Sequence, residues 1–245
     1  MLQSYTDPEA YMEGTLLFSG SHLSAICIFF ILIALLYIFK NKQWMKTNGR
    51  LLILIALIGS ELWLNYWYFV TGMWDIRFTL PFQLCSISIY LCTWMIWSKQ
   101  KWSFEIAYFL GFGGALQAMI TPELFYDFPH FRFLHFFIAH IAIILAVFYM
   151  LWVEKYHINL KSLWKAFGVL QIIALIVFFI NMATGGNYMF LARKPSNASL
   201  IDLLGPYPWY ILTLELVVLL IFFLLYLPIY VKSKITAENK KRLER

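Results

Sequence analysis

The chain is too apolar to be a water-soluble protein. Its 245 residues are 62% hydrophobic and only 13% charged, and the mean hydropathy is +0.71; this composition is typical of polytopic membrane proteins. The net charge of +6 comes mainly from one predicted membrane face, so it indicates attraction to anionic lipid and not binding of nucleic acid. Because the connections are short, we expect one integral membrane domain over residues 1–245.

Seven apolar stretches are long enough to cross a bilayer. A helix rises about 1.5 Å per residue, so a hydrocarbon core of about 30 Å requires about 20 mainly apolar residues. The predicted spans are about residues 22–39, 51–71, 79–97, 104–121, 132–153, 164–183 and 208–231. The sequence therefore predicts an all-α, polytopic bundle of seven transmembrane helices.

The distribution of Lys and Arg predicts the orientation of this bundle. Cytoplasmic loops of membrane proteins carry an excess of basic residues. Of the 19 Lys and Arg residues, only Arg77, Arg132, Arg193 and Lys194 fall on the side that contains the N-terminus. We therefore expect the N-terminus outside and the C-terminus in the cytoplasm, with residues 232–245 as a basic cytoplasmic tail.

Polar side chains within the spans concentrate in the outer half of the predicted bundle. A hydrophilic group in hydrocarbon costs several kcal/mol unless it faces the protein interior or a wet cavity. We therefore expect these side chains to gather around a cavity that opens outward. The candidates are Glu61, Asn65, Gln83, Cys85, Gln117, His135, His140, Asn181 and Glu215.

Cys85 and His140 are the candidate catalytic residues. Both lie near the same predicted depth, on helices that start at the outer face. A thiol beside an imidazole is a common way to obtain a thiolate nucleophile near neutral pH. Two plainer interpretations stay open: Cys85 belongs to a small-residue stripe with Ser88 and Cys92 that favours close helix packing, and His140 could simply be hydrogen-bonded within the bundle.

Several amides and carboxylates are candidates to support such a pair. Gln83, Asn65 or Gln117 could donate a hydrogen bond to an oxyanion. Glu61 or Glu215 could orient the imidazole, or act as a proton carrier, as a counter-charge or as a neutral hydrogen-bonded group.

The outer loop over residues 121–132 holds two prolines, two acids, a histidine and an arginine. Arg132 could hold an anionic group such as a lipid phosphate, or it could only extend to the interface. His130, His135 and Asn181 are further candidates for substrate binding. The histidines at 130, 135 and 140 are spaced by five, which turns each about 140° from the last around a helix. We therefore expect no metal site, and no cofactor.

Several segments resemble the YwaF-type family of bacterial integral membrane proteins. They are residues 18–23, 80–86, 113–117, 121–124, 128–133 and 187–189. That family is distantly similar to the transmembrane protein 164 family of acyltransferases, which move fatty acyl chains between phospholipids. The resemblance implies that Cys85 and His140 correspond to the proposed catalytic pair of those enzymes. Gln83 departs from the bacterial pattern, in which a histidine is expected.

Two classes of function follow from these features. The first is a lipid acyltransferase or acyl hydrolase that forms a thioester on Cys85, with membrane lipids as substrate, in the plasma membrane of a bacterium. The alternative is a seven-helix transporter or receptor-like protein in which Glu61 and Glu215 couple transport to protons or bind the ligand. A scaffold without a small-molecule site would use the polar residues for helix-to-helix hydrogen bonds. The sequence predicts no oligomeric state.

Overall fold

The protein is a bundle of apolar helices. A computed structural model describes residues 5–12, 14–195 and 200–243, and within these ranges it contains helices and no strand. The apolar helices are α1 (Gly20–Phe39), α2 (Arg50–Val70), α3 (Leu84–Ser98), α4 (Lys101–Ile120), α5 (Phe131–Trp152), α6 (Leu160–Thr184) and α7 (Trp209–Leu243). In the described ranges six are long and apolar enough to cross a membrane, and α3 is a shorter apolar helix. The chain is therefore a polytopic helical membrane protein.

The predicted start of the third span is wrong. A helix was expected from residue 79, but α3 begins at Leu84. Pro81 has no backbone N–H to donate and disfavours helical backbone at Leu80. The amide of Leu80 is instead bound by the hydroxyl of Tyr188, at 2.9 Å. At the other end of the bundle α7 continues to Leu243, so the described part of the predicted basic tail prolongs the last helix.

The short helix α3 does not fill the thickness of a bilayer. Its 15 residues extend about 22 Å, compared with a hydrocarbon core of about 30 Å. The inner end is fixed to the inner end of α2, because the Arg50 guanidinium donates to the carbonyls of Ile96, at 3.1 Å, and Trp97, at 2.9 Å. With the predicted orientation, we expect the N-terminus of α3 below the outer boundary of the hydrocarbon region.

Helix α5 is the centre of the bundle. It packs against α1, α2, α3 and α4, whereas most side chains of α1, α6 and α7 are not buried within the protein. The stripe of small residues on α3 serves partly as a packing seam. A Cβ added at Gly111 of α4 would lie 3.4 Å from the sulfur of Cys92 and 3.7 Å from the Cβ of Ser88. Glycine at this position therefore allows α4 to approach α3 closely.

Charged side chains form ion pairs at the inner ends of the helices. Lys165 pairs with Glu105 at 2.5 Å, and Lys99 pairs with Glu154 at 2.6 Å. The Tyr149 hydroxyl donates to the Glu154 carboxylate at 3.2 Å. The first pair joins α4 to α6, and the second joins the end of α3 to the end of α5. The orientation of this end toward the cytoplasm stays a prediction.

The segment that follows α6 packs tightly against the segment that precedes α3. A Cβ at Gly186 would lie 2.7 Å from the backbone carbonyl oxygen of Arg77 and 3.1 Å from the ring of Tyr188. A contact of 2.7 Å to backbone is too short to relax by moving one side chain. Glycine at this position therefore permits the two segments to meet.

We predict that Gly186→Ala destabilises the protein by about 1–3 kcal/mol, as overpacking does in closely packed sites. The measurement is thermal unfolding of the purified protein in detergent. Gly168→Ala is the matched control, because a Cβ at this exposed helical glycine meets nothing within 4 Å and alanine is the better helix former by up to about 1 kcal/mol. Equal melting temperatures for the Gly186 variant and the parent would contradict the described contact.

Candidate active site

Cys85 and His140 are in direct contact. The Nε2 atom of His140 lies 3.1 Å from the Sγ atom of Cys85. Cys85 is in the first turn of α3 and is partly exposed, whereas His140, in the third turn of α5, is only 3% exposed. The two helices that carry them pack against each other.

The hydrogen bond of the second ring nitrogen of His140 determines which nitrogen carries the ring hydrogen. Its Nδ1 atom lies 2.6 Å from the backbone carbonyl oxygen of Phe136, one turn earlier on α5. A carbonyl oxygen only accepts, so Nδ1 must carry the hydrogen and donate it. In the neutral ring Nε2 is then the acceptor, and the Cys85 thiol donates to it. The imidazole is therefore oriented as a base for the thiol.

This arrangement corrects the predicted role of the carboxylates. Orienting the imidazole was one of the roles open to Glu61 or Glu215, but the orienting atom is the Phe136 carbonyl oxygen. Glu215 accepts a hydrogen bond from the amide of Gln171, at 2.6 Å, and so joins α7 to α6. A histidine bonded to the carbonyl four residues earlier has no sequence signature, because every residue has a backbone carbonyl.

The first turn of α3 is open. Gln83, the N-cap residue, has extended backbone and its side chain makes no capping hydrogen bond. The first helical donor is the amide of Ile87, which bonds to the Gln83 carbonyl at 3.1 Å. The backbone N–H groups of Leu84, Cys85 and Ser86 have no hydrogen-bond acceptor among the residues that the structure describes. They form the positive end of the helix, where an anion is stabilised.

Of the three amides predicted to face an oxyanion, only Gln83 lies beside the first turn of α3. Its Oε1 atom accepts from the amide of Met189, at 3.1 Å, which leaves its own NH₂ group as the donor. Asn65 donates to the backbone carbonyl of Glu61, at 2.8 Å. Gln117 is exposed and donates to the hydroxyl of Thr121, at 2.7 Å.

Glu61 is a buried carboxyl next to the cysteine helix. It is 6% exposed, and its Oε1 atom accepts from the hydroxyl of Tyr90 on α3, at 3.2 Å. Its Oε2 atom is buried without a partner among the described residues. Glu61 therefore bridges α2 to α3, whereas Glu215 bridges α6 to α7. The structure does not bring the two glutamates to one site.

Asn181 makes local structural contacts in place of the predicted substrate contacts. Its amide donates to the carbonyl of Tyr188, at 2.9 Å, and its amide oxygen accepts from the N–H of the same residue, at 2.8 Å. Both ends of the side chain are thereby used to hold the turn after α6.

Arg132 and His135 occupy the outer end of α5. The Arg132 guanidinium lies 5.7 Å from the ring centres of both Trp67 and Tyr68. One of its nitrogens is 3.4 Å from Nδ1 of His135. The Nε2 atom of His135 is buried and has no hydrogen-bond partner within the described part of the chain.

Two concave surfaces of the protein lie away from Cys85. One, of about 370 Å³, is a groove between the start of α6 and α7 that includes Leu160 and Phe223. The other, of about 390 Å³, lies between α2 and α3 and includes Leu54 and Trp97. Neither is lined by the Cys85–His140 pair. The predicted outward-opening cavity at that pair stays a prediction.

His130 has a structural role at the start of α5, although it was predicted to bind substrate. Its Nδ1 atom accepts from the amide of Arg132, at 3.1 Å, and caps the helix. Its Nε2 atom bonds to the carbonyl of Asp7, also at 3.1 Å, and the ring stacks on Tyr126.

No group of three or more potential metal ligands occurs in the described residues. His130, His135 and His140 therefore serve three different sets of partners.

Burial lowers the pKa of His130 from its ordinary value near 6.5. The folded protein thus keeps this ring neutral, while the unfolded chain accepts a proton more readily. Its contribution to stability is complete above about pH 6.5 and is lost as the pH falls through the lowered pKa.

We predict that acidification below pH 6.5 lowers the melting temperature of the parent more than that of His130→Asn. Asparagine still caps the helix but does not titrate. The comparison is a series of thermal melts across pH 5–8, with His157→Asn, a change at an exposed histidine, as the control that keeps the parental pH dependence. Parallel pH profiles for the parent and His130→Asn would contradict this role.

Comparison with known proteins adds one finding. The model of the TMEM164 family matches residues 17–226, a region that contains Cys85, His140 and the first six helices complete. Searches of the curated proteins and of the solved structures give no match. Because the family match extends over most of the chain, the protein belongs to the TMEM164 family.

Proposed function

We propose that this protein is a membrane acyltransferase that acts on lipid esters, with Cys85 as nucleophile and His140 as general base. The observation that carries the proposal is the 3.1 Å contact between the Cys85 thiol and His140 Nε2 at an open helix N-terminus. A thiol, an oriented base and unpaired backbone donors are the groups that acyl transfer through a thioester requires.

In the first half-reaction the sulfur of Cys85 attacks the carbonyl carbon of a lipid ester. His140 Nε2 accepts the thiol proton as the carbon–sulfur bond forms, and the hydrogen bond from Nδ1 to Phe136 stabilises the resulting imidazolium. The negative charge moves to the carbonyl oxygen. The carbon–oxygen bond to the leaving alcohol then breaks, and the imidazolium returns the proton to that alcohol. The products are a lysolipid and an acyl thioester on Cys85.

The open first turn of α3 supplies the stabilisation of the oxyanion in this scheme. The unpaired N–H groups of Leu84, Cys85 and Ser86 are fixed by the helix, so no reorganisation is needed when charge develops. The amide nitrogen of Gln83 is an additional donor.

In the second half-reaction a hydroxyl group of an acceptor lipid attacks the thioester. His140 takes the hydroxyl proton, the carbon–sulfur bond breaks, and the proton passes to the thiolate. Water would give hydrolysis in place of transfer. Burial of His140 on a central helix, at 3% exposure, favours an alcohol delivered by a lipid over bulk water.

The position of Cys85 is appropriate for a lipid substrate. Ester groups of membrane lipids lie just below the headgroups, which is the depth at which we expect α3 to begin. With the predicted orientation the reaction takes place in the outer leaflet of a cell membrane, and we propose the bacterial plasma membrane on the basis of the YwaF-type resemblance.

We predict that Cys85→Ala and His140→Ala each reduce acyl transfer at least about 100-fold, because each removes a group required for chemistry. The measurement is exchange of a labelled acyl chain between phospholipid and lysophospholipid by purified protein in nanodiscs. Cys27→Ala is the control, since Cys27 is an exposed cysteine on α1, and it retains parental turnover. Full turnover by either active-site variant would reject the proposed mechanism.

A further inference from the structure

The outer end of α5 carries a positive charge that has no counter-ion among the residues described by the structure. Arg132 is partly exposed and its guanidinium rests against Trp67 and Tyr68. No carboxylate lies within ion-pair distance of it among the described residues. Two acids of the neighbouring loops have other partners: Asp127 binds the hydroxyl of Ser21 and the amide of Phe128, and Asp7 accepts from the amide of Glu9.

His135 adds a second unused donor at the same place. The guanidinium of Arg132 only donates, so the contact of 3.4 Å makes Nδ1 of His135 the acceptor. The hydrogen of the neutral ring is then on Nε2, which is buried and has no partner in the described ranges of the chain. An unpaired buried donor costs about 1–3 kcal/mol. The Arg132 guanidinium and the Nε2–H group of His135 are therefore neighbouring donors. Within the described part of the protein, no acceptor binds Nε2 and no carboxylate pairs with Arg132.

We propose that Arg132 and His135 form a binding site for a phosphate group, supplied by the headgroup of a phospholipid. The guanidinium presents paired donors that match two oxygens of a phosphodiester, and its position on Trp67 and Tyr68 holds it in place. A headgroup reaches Arg132 first, because this side chain is partly exposed. Because the Nε2 atom of His135 is buried in the unbound structure, its contact with a phosphate oxygen requires a local rearrangement on binding.

This site would bind the headgroup of the substrate in the proposed reaction. That the bound lipid is a substrate rests on the proposed function. His135 lies five residues before His140, or about 7.5 Å along the helix axis. In a glycerophospholipid the phosphate and the ester carbonyls are joined through one glycerol unit, which is a separation of the same order. A phosphate bound by Arg132 and His135 therefore places an ester group at the depth of Cys85, although His135 and His140 are turned about 140° from each other around α5.

The test measures binding without catalysis. The protein is the full chain carrying Cys85→Ala, purified in a maltoside detergent so that no phosphate-containing lipid competes. The probes are dihexanoylphosphatidylcholine, dihexanoylglycerol and inorganic phosphate, and the readout is the dissociation constant from calorimetric titration. Because this background performs no acyl transfer, failure of the site and failure of the proposed catalytic function give separate results.

We expect the phosphate-bearing lipid to bind at least about tenfold more tightly than dihexanoylglycerol, and Arg132→Gln to abolish that preference. Arg132→Lys, which keeps the charge but loses the paired donors, retains part of it. Arg77→Gln is the matched control: Arg77 is an exposed outer arginine already paired with Asp75, at 2.6 Å, and its replacement leaves the preference unchanged. An undiminished preference in Arg132→Gln, or equal affinity of the parent for both lipids, would overturn the proposal.

His135→Phe separates a binding role from a structural one. Phenylalanine keeps the ring contact with Phe131 and removes the unpaired donor, so the melting temperature is unchanged or raised while the preference for the phosphate-bearing lipid falls. A lowered melting temperature with an unchanged preference would contradict a role of His135 in binding. Competition by inorganic phosphate identifies the site as one for phosphate in general, and its absence identifies the intact phosphodiester as the ligand; both results support the site if they depend on Arg132.

Discussion

The proposed site depends on one constraint. A helix that begins within a membrane, as we expect from the length of α3, leaves backbone N–H groups without partners, and the hydrocarbon region offers no water to satisfy them. Such donors are tolerated only where they face protein or a polar site. At the start of α3 they surround Cys85. The same feature that costs free energy in folding supplies an anion-binding end next to the thiol.

Residues of the turn after α6 hold the segment before α3 in place. The Tyr188 hydroxyl accepts from the amide of Leu80, at 2.9 Å, and donates to the carbonyl of Ile76, at 2.7 Å. Tyr188 is itself held by Asn181, and the next residue, Met189, bonds to Gln83. The turn after α6 thus fixes the segment before α3. These hydrogen bonds hold the chain at residues 76–83, shortly before Cys85.

The general architecture and the depth of the pair could be predicted from the sequence. Apolar stretch lengths predicted the helices, and residue counts from the outer boundary placed Cys85 and His140 near one level. Depth along a helix does not give its rotation, so the contact itself required the structure. The catalytic role of both residues stays a prediction.

Other parts of the site could not be predicted for physical reasons. The orientation of His140 by Phe136 uses a backbone carbonyl, which no residue type reveals. The side-chain amide of Asn181 and both ring nitrogens of His130 bind backbone groups of the protein. From the sequence they were candidates for substrate binding, because they are polar residues near the predicted outer boundary. Pro81 was the one available signal that α3 starts late, because the residue before a proline disfavours the helical conformation.

The most direct test of the central claim is mass spectrometry of the protein after brief incubation with a phospholipid and no acceptor lipid. The account predicts an acyl group on the peptide that contains Cys85, removable by hydroxylamine as a thioester is, and absent when His140 is replaced by alanine. An acyl group on a different residue, or complete transfer activity with Cys85 unmodified throughout, would contradict the account.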